Sequence, residues 1–177
     1  VEITGFYISD GNYGIHLRNT RFLIENMEIT GNSPSGIYVE QGTSGTIQYC
    51  DIHNNGGAGS AGPGAGIRVH GSNNSCNVNI LHNSIYNNQA VMSSGGCYYG
   101  GAGGGISIEN SSAQVSHNLI YSNKYVKSFG IGENNEINKL VDCVNNILIH
   151  KKSYEDIKNI YIYQTKENTS IINNILS

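Results

Sequence analysis

One short pattern recurs along the whole chain: an apolar residue three positions before a corner residue, and a second apolar residue two positions after it. Ile3-Phe6-Ile8, Ile24-Met27-Ile29, Ile47-Cys50-Ile52 and Ile80-Asn83-Ile85 obey it, as do Val115-Asn118-Ile120, Cys143-Asn146-Leu148 and Ile171-Asn174-Leu176. Successive corner residues lie 21, 23, 33, 35, 28 and 28 positions apart, inside the period range of a solenoid. Apolar residues alternate with period two around each corner and show no helical stripe, so the repeat is made of strands and no substantial α-helix is expected. A further strand recurs between these units, at Ile15/Leu17, Ile37/Val39, Ile67/Val69, Ile106/Ile108, Phe129/Ile131 and Ile160/Ile162. Three strands per turn with inward aliphatic residues make an all-β parallel β-helix, one domain over residues 1–177, with about six to seven rungs.

From Asn83 onward the corner is always Asn: Asn83, Asn118, Asn146 and Asn174. Amides stacked at strand spacing can hydrogen-bond along the column, and Asn tolerates the left-handed conformation of a sharp corner. His82 and His117, one residue earlier, are expected to stack in the same way. Two stretches break the regularity, both leading from the third strand of a rung into the first strand of the next. These are His53 to Ala65 and Tyr86 to Gly104, read as long loops, with a milder insertion at His150 to Asn159. Long loops in a solenoid tend to gather on one side and frame a binding face.

Composition narrows the function class. Only 13% of residues are charged and the formal net charge is −3, so no electrostatic ground exists for nucleic-acid binding. No apolar run reaches the length of a membrane span. The chain starts and stops inside repeats without polar caps, which is expected of an interior slice whose ends are covered by further rungs or a neighbouring chain. Cys50 and Cys143 fall about three rungs apart, roughly 14 Å at strand spacing, too far to bridge. Whether Cys76 and Cys97 are bridged stays open.

The segments YCDIHNN, LHNSIYNN, SHNLIYSN and VNNILIH resemble the repeats of right-handed parallel β-helix proteins of the pectate-lyase-like superfamily. GAGIRVHGSNN and GGGISIENSS are similar to that superfamily's first strand and following turn. The resemblance covers essentially the whole chain and implies an extracellular or cell-surface protein directed at a polysaccharide or cell-surface glycan.

Outward residues of the recurring first strand form two columns, because alternate side chains face opposite ways. One column is His16, Tyr38, Arg68 and Ser107, and the other is Arg18, Glu40, His70 and Glu109. Both long stretches join this sheet near Arg68, His70 and Glu109. Tyr38, Tyr98 and Tyr99 are candidate stacking platforms for sugar, with His16, Arg18 and Ser107 as further binding candidates. Arg68 could grip a uronate carboxylate through its planar fork. The resemblance to β-helix polysaccharide lyases implies a basic side chain that takes the proton α to that carboxylate, with Arg68 or His70 as candidate base. Glu40 and Glu109, two rungs apart at about 9 to 10 Å, are the alternative catalytic pair of an inverting glycosidase. Neither column holds the aspartate cluster of polygalacturonase-type hydrolases, and the Asp-Pro-His-Asp motif of mannuronan-epimerase-type β-helices is absent. Asp10, Asp51, Asp142 and Asp156 are scattered, so no cofactor is expected and calcium finds no support in the sequence. Glu25, Glu28 and Asp51 are expected to form a solvated acidic patch on adjacent rungs. The competing reading is a non-catalytic surface, adhesin, tail-fibre or structural repeat protein.

Overall fold

The computed structural model is all-strand among its described residues, which are 1–61, 65–71, 76–92, 104–127, 147–148, 160–163, 170–172 and 175–176. Strands stack into long parallel sheets, named here for their order along the chain. Sheet A holds Glu2–Thr4, Arg21–Glu25, Ser44–Gln48, Cys76–Leu81, Ser111–Ser116 and Ser170–Ile172. Sheet B holds Tyr7–Ser9, Glu28–Thr30, Asp51–His53, Ser84–Tyr86, Leu119–Tyr121, Ile175–Leu176 and Ile147–Leu148. Sheet C holds Tyr13–Leu17, Ser35–Glu40, Ile67–His70, Ile106–Glu109 and Ile160–Tyr163. The chain passes A, B, C and returns to A one rung higher, which is the winding of a parallel β-helix.

Identical residues meet across rungs because the sheets are in register. Ile24 pairs with Ile47 and Ile47 with Ile80, while Ile29 pairs with Ile52 and Ile52 with Ile85. All six are 0% exposed. Each such side chain contributes about 1.5–3 kcal/mol by leaving water, so these columns are the main apolar stabilisation.

The corners correct the expected geometry. The left-handed residues are Asn26 (φ 54°), Tyr49 (φ 54°), His82 (φ 56°) and His117 (φ 57°), each one position before the anchor. The anchors themselves, Asn83 and Asn118, turn inward and are 2% exposed. Asn83 donates from its backbone N–H (2.9 Å) and its Nδ2 (3.0 Å) to Asn118 Oδ1, and Asn83 Nδ2 also donates to the Ile47 carbonyl at 3.0 Å. His82 and His117 stack at 4.9 Å, extended by Tyr49 at 5.3 Å from His82.

A second amide column, with four described members, runs beside the first. Asn32, Asn55, Asn88 and Asn123 line the corner that follows the sheet B strands, all 0–1% exposed. Asn55 Oδ1 accepts the Asn32 N–H (3.1 Å) and Nδ2 (3.0 Å), and Asn55 Nδ2 donates to Asn88 Oδ1 (3.0 Å) and the Ile29 carbonyl (2.9 Å). Asn88 repeats the pattern against Asn123. The residue before each is left-handed, at Gly31, Asn54, Asn87 and Ser122. Room for this column is made by glycine: a Cβ on Gly36 would sit 2.9 Å from Asn55 Nδ2 and from the Gly66 carbonyl.

Two sequence expectations are revised. The stretches read as loops begin as strands, Gly56–Ala61 and Gln89–Met92, which join Lys124–Lys127 in a small fourth parallel sheet. Spacing also placed a rung with Cys143 and Leu148 between Val115 and Ile171. Instead Val115 pairs directly with Ile171 and Ile106 with Ile160, and Ile147–Leu148 lies beyond Ile175–Leu176. An apolar strand pattern states that a strand exists, not which strand it meets. Phe129, Ile131, Cys143, Asn146 and Asn174 lie outside the described residues. Cys76 is a free, buried thiol with Sγ 3.3 Å from the Glu40 carbonyl oxygen, and Cys97 lies outside the described residues.

Replacing Asn55 with Ala leaves several buried donors and acceptors unpaired, at a cost of roughly 3 kcal/mol or more in denaturant unfolding. Asn87→Gly, at an exposed left-handed position, is expected to stay within about 0.5 kcal/mol of the parent. Burial pushes the Cys50 thiol up from the ordinary 9.0 to about 11, so the folded state holds that proton more tightly than the unfolded chain. This contribution is complete below pH 9 and fades as pH rises towards 11; the stability difference between parent and Cys50→Ala, followed by urea melts, therefore shrinks across that window.

Candidate functional site

Sheet C carries the two outward columns in the register expected. His16 pairs with Tyr38, Tyr38 with Arg68 and Arg68 with Ser107, while His70 pairs with Glu40 on one side and Glu109 on the other. What the side chains do with that placement differs from simple charge pairing.

Tyr38 is the centre of the first column. The His16 ring stacks on it at 4.9 Å and 10°, and the Arg68 guanidinium carbon lies 4.9 Å from its ring centroid. These neighbours come from opposite rungs, so both ring faces are occupied, and Tyr38 is 8% exposed. Burial, with the carboxylates of Glu40 and Glu109 contributing, raises the Tyr38 phenol above its ordinary range despite the opposing charge of Arg68. Tyr13 joins the stack, 5.2 Å from both His16 and Tyr38. Its position shares the parity of the inward Ile15, so alternation alone pointed it into the core. Its place at the strand end frees it to turn outward.

The carboxylates are engaged away from Arg68. Glu40 Oε2 is 3.0 Å from His16 Nε2 and 4.0 Å from Arg18 Nε. Glu109 Oε1 accepts the Ser107 hydroxyl at 3.1 Å, and Ser107 is fully buried. Register sets Arg68 and His70 on the rung between Glu40 and Glu109, but Arg68 has no carboxylate within 4.0 Å among the described residues. Its Nη2 lies 3.5 Å from His70 Nδ1, and its Nε is buried with no hydrogen-bond partner among the described residues. A guanidinium only donates, so this contact uses Nδ1 of His70 as acceptor. Arg68 is therefore a cation held in place by an aromatic face, with no carboxylate partner among the described residues. Tyr98 and Tyr99 lie outside the described residues.

The acidic residues sort by sheet. Glu25 lies on sheet A and accepts Gln48 Nε2 at 2.8 Å, whereas Glu28 and Asp51 are register partners on sheet B. Among the described residues no group of three or more His, Cys, Asp or Glu side chains is placed to hold a metal ion. No helix of the described residues is long and apolar enough to cross a membrane.

Stacked parallel rungs with inward aliphatic and amide columns define a β-solenoid whose outward columns are free to carry function. The family model described as right handed beta helix region matches residues 1–176, and the chain belongs to that family. No curated protein and no solved structure matches it.

Tyr38→Phe keeps the stack and is expected to cost under about 1 kcal/mol, whereas Tyr38→Ala costs about 3–5 kcal/mol. Denaturant melts check this, and the late-ionising phenol should vanish from the ultraviolet titration of Tyr38→Phe.

Proposed function

We propose that this chain is an extracellular, carbohydrate-directed right-handed β-helix that binds an anionic polysaccharide of the uronate class along sheet C. The observation that carries this reading is Arg68, stacked on Tyr38 and without a carboxylate partner among the described residues. Holding a guanidinium in one orientation removes much of the entropy loss of binding, and its planar fork suits a carboxylate. Glu40 is tied to His16 and Arg18, so it does not compete for Arg68. That arrangement also speaks against Glu40 and Glu109 as a hydrolytic pair, since each already serves a neighbour.

A lyase reading is supported by the Arg68–His70 contact at 3.5 Å, which sets an imidazole beside the guanidinium that would hold the carboxylate. Proton abstraction next to the bound carboxylate would leave an unsaturated sugar that absorbs in the ultraviolet.

The test is to titrate the full-length protein with a panel of uronate polysaccharides, following affinity and ultraviolet absorbance together. Binding to at least one polymer is expected, weakened about tenfold or more by Arg68→Ala and less by Arg68→Lys, in line with the loss of one charge-assisted pair. Absorbance growth that needs His70 or Arg68 would make the protein a lyase, and binding without it a non-lytic binder. No binding to any polymer, or affinity indifferent to Arg68→Ala, overturns the reading in favour of a structural surface repeat.

A further inference from the structure

The outer face of sheet B carries a constellation independent of Arg68. Thr30 and His53 are register partners on adjacent rungs, as are Glu28 and Asp51. Thr30 Oγ1 lies 3.2 Å from His53 Nδ1, and His53 Nε2 lies 3.3 Å from Glu28 Oε1. Asn54 Nδ2 is 2.8 Å from the same Nδ1. An amide nitrogen only donates, so Nδ1 is the acceptor and the ring proton sits on Nε2, directed at Glu28. The result is a hydroxyl, an imidazole with a lone pair facing it, and a carboxylate orienting the far nitrogen.

The ring is fixed from a third direction. His53 stacks on Tyr86 at 4.8 Å and 9°, Tyr86 stacks on Tyr121 at 4.9 Å, and the Tyr86 hydroxyl donates to Asp51 Oδ2 at 3.4 Å. The His53 side chain is only 13% exposed while that of Glu28 is 50% exposed, so the imidazole is held while the carboxylate beside it reaches solvent. Asn54 is exposed at a left-handed corner.

We propose that Thr30, His53 and Glu28 form an acyl-transfer site that cleaves small carboxylic esters. A nucleophile, a base and a group orienting that base, all at hydrogen-bond reach, are what this chemistry requires, whatever the fold or chain order. Thr30 Oγ adds to the ester carbonyl carbon as its proton passes to His53 Nδ1. The carbonyl electron pair becomes an oxyanion, stabilised by the Asn54 amide, which gives up its place on the Nδ1 lone pair. Collapse breaks the bond to the alkoxy oxygen, which takes the proton from His53 and leaves as alcohol. Water repeats the sequence on the acyl-threonine, releasing carboxylic acid and restoring the Thr30 hydroxyl. Thr30 and His53 are the catalytic residues and Glu28 is a positioning residue acting through His53.

The probe is p-nitrophenyl acetate with the full chain, read by nitrophenolate release and by mass spectrometry of the quenched protein. Turnover with a transient acetyl group on Thr30 is expected. Thr30→Ala and His53→Ala should each lower kcat about 100-fold or more, with Thr30→Ser retaining activity. Glu28→Gln should lower kcat about tenfold or more with KM unchanged, the mark of a group that orients the base rather than binds substrate. Circular dichroism confirms that each variant is folded. Equal rates for the parent and Thr30→Ala, or an acetyl group found only on lysine or tyrosine, would show reaction at a bare surface nucleophile and overturn the proposal.

Discussion

Buried primary amides set the dimensions of this molecule. An Asn side chain inside a protein must satisfy two donor hydrogens and an acceptor oxygen, and among the described residues most of its partners belong to the rungs above and below, with the Thr30 and Ser116 carbonyls of the same rung also accepting from Asn32 and Asn118. Asn55 can do so only if its rung sits at strand spacing from both neighbours, with the corner in the same place each time. The isoleucine columns then follow, since residues at equal distance from a fixed corner must stack on their equivalents. Glycine at Gly36 and Gly66 is a consequence too, because a side chain there would collide with the amides or with the carbonyl of the next rung.

Much of this was legible because period two and a fixed corner leave few alternatives. The pairing of Arg68 with Tyr38 and Ser107, and of His70 with Glu40 and Glu109, followed from counting alone. The second amide column escaped because Asn54-Asn55 and Asn87-Asn88 look like turn residues, and half of each pair is one. The first residue takes the left-handed corner and the second goes inside, a division of labour that composition does not reveal. The same division shifts the strained position from Asn118 to His117.

The candidate sites were legible as columns but not as contacts. Parity states that Glu40 faces outward beside His70, yet Glu40 takes its partners from the rung below, His16 and Arg18. Rotamers and reach decide that choice. Thr30, His53 and Glu28 were harder to see, since Thr30 and His53 are 23 residues apart in a chain rich in polar turn residues. Only the register of sheet B brings them together. Both faces show the same construction: Arg68 is held by Tyr38 and His53 by Thr30, Glu28 and Tyr86, all from neighbouring rungs, so each site depends on rungs stacked in register.

The amide columns also have a direction. In every described pair the backbone N–H of the lower rung points up to an amide oxygen that points down, from Gly11 against Asn32 through Asn88 against Asn123, and in the Asn pairs one Nδ2 hydrogen joins it while Nδ2 also donates to a carbonyl of the rung below. Side-chain dipoles therefore add along the solenoid axis instead of cancelling, as peptide dipoles do along an α-helix. Within the columns each amide oxygen is turned to the rung below and one amide hydrogen to the rung above, so the two directions along the axis are not equivalent. A rung or a second solenoid continues the columns only head to tail. Approached head to head, like dipole ends would face each other and the buried amides at the seam would have nothing to bind.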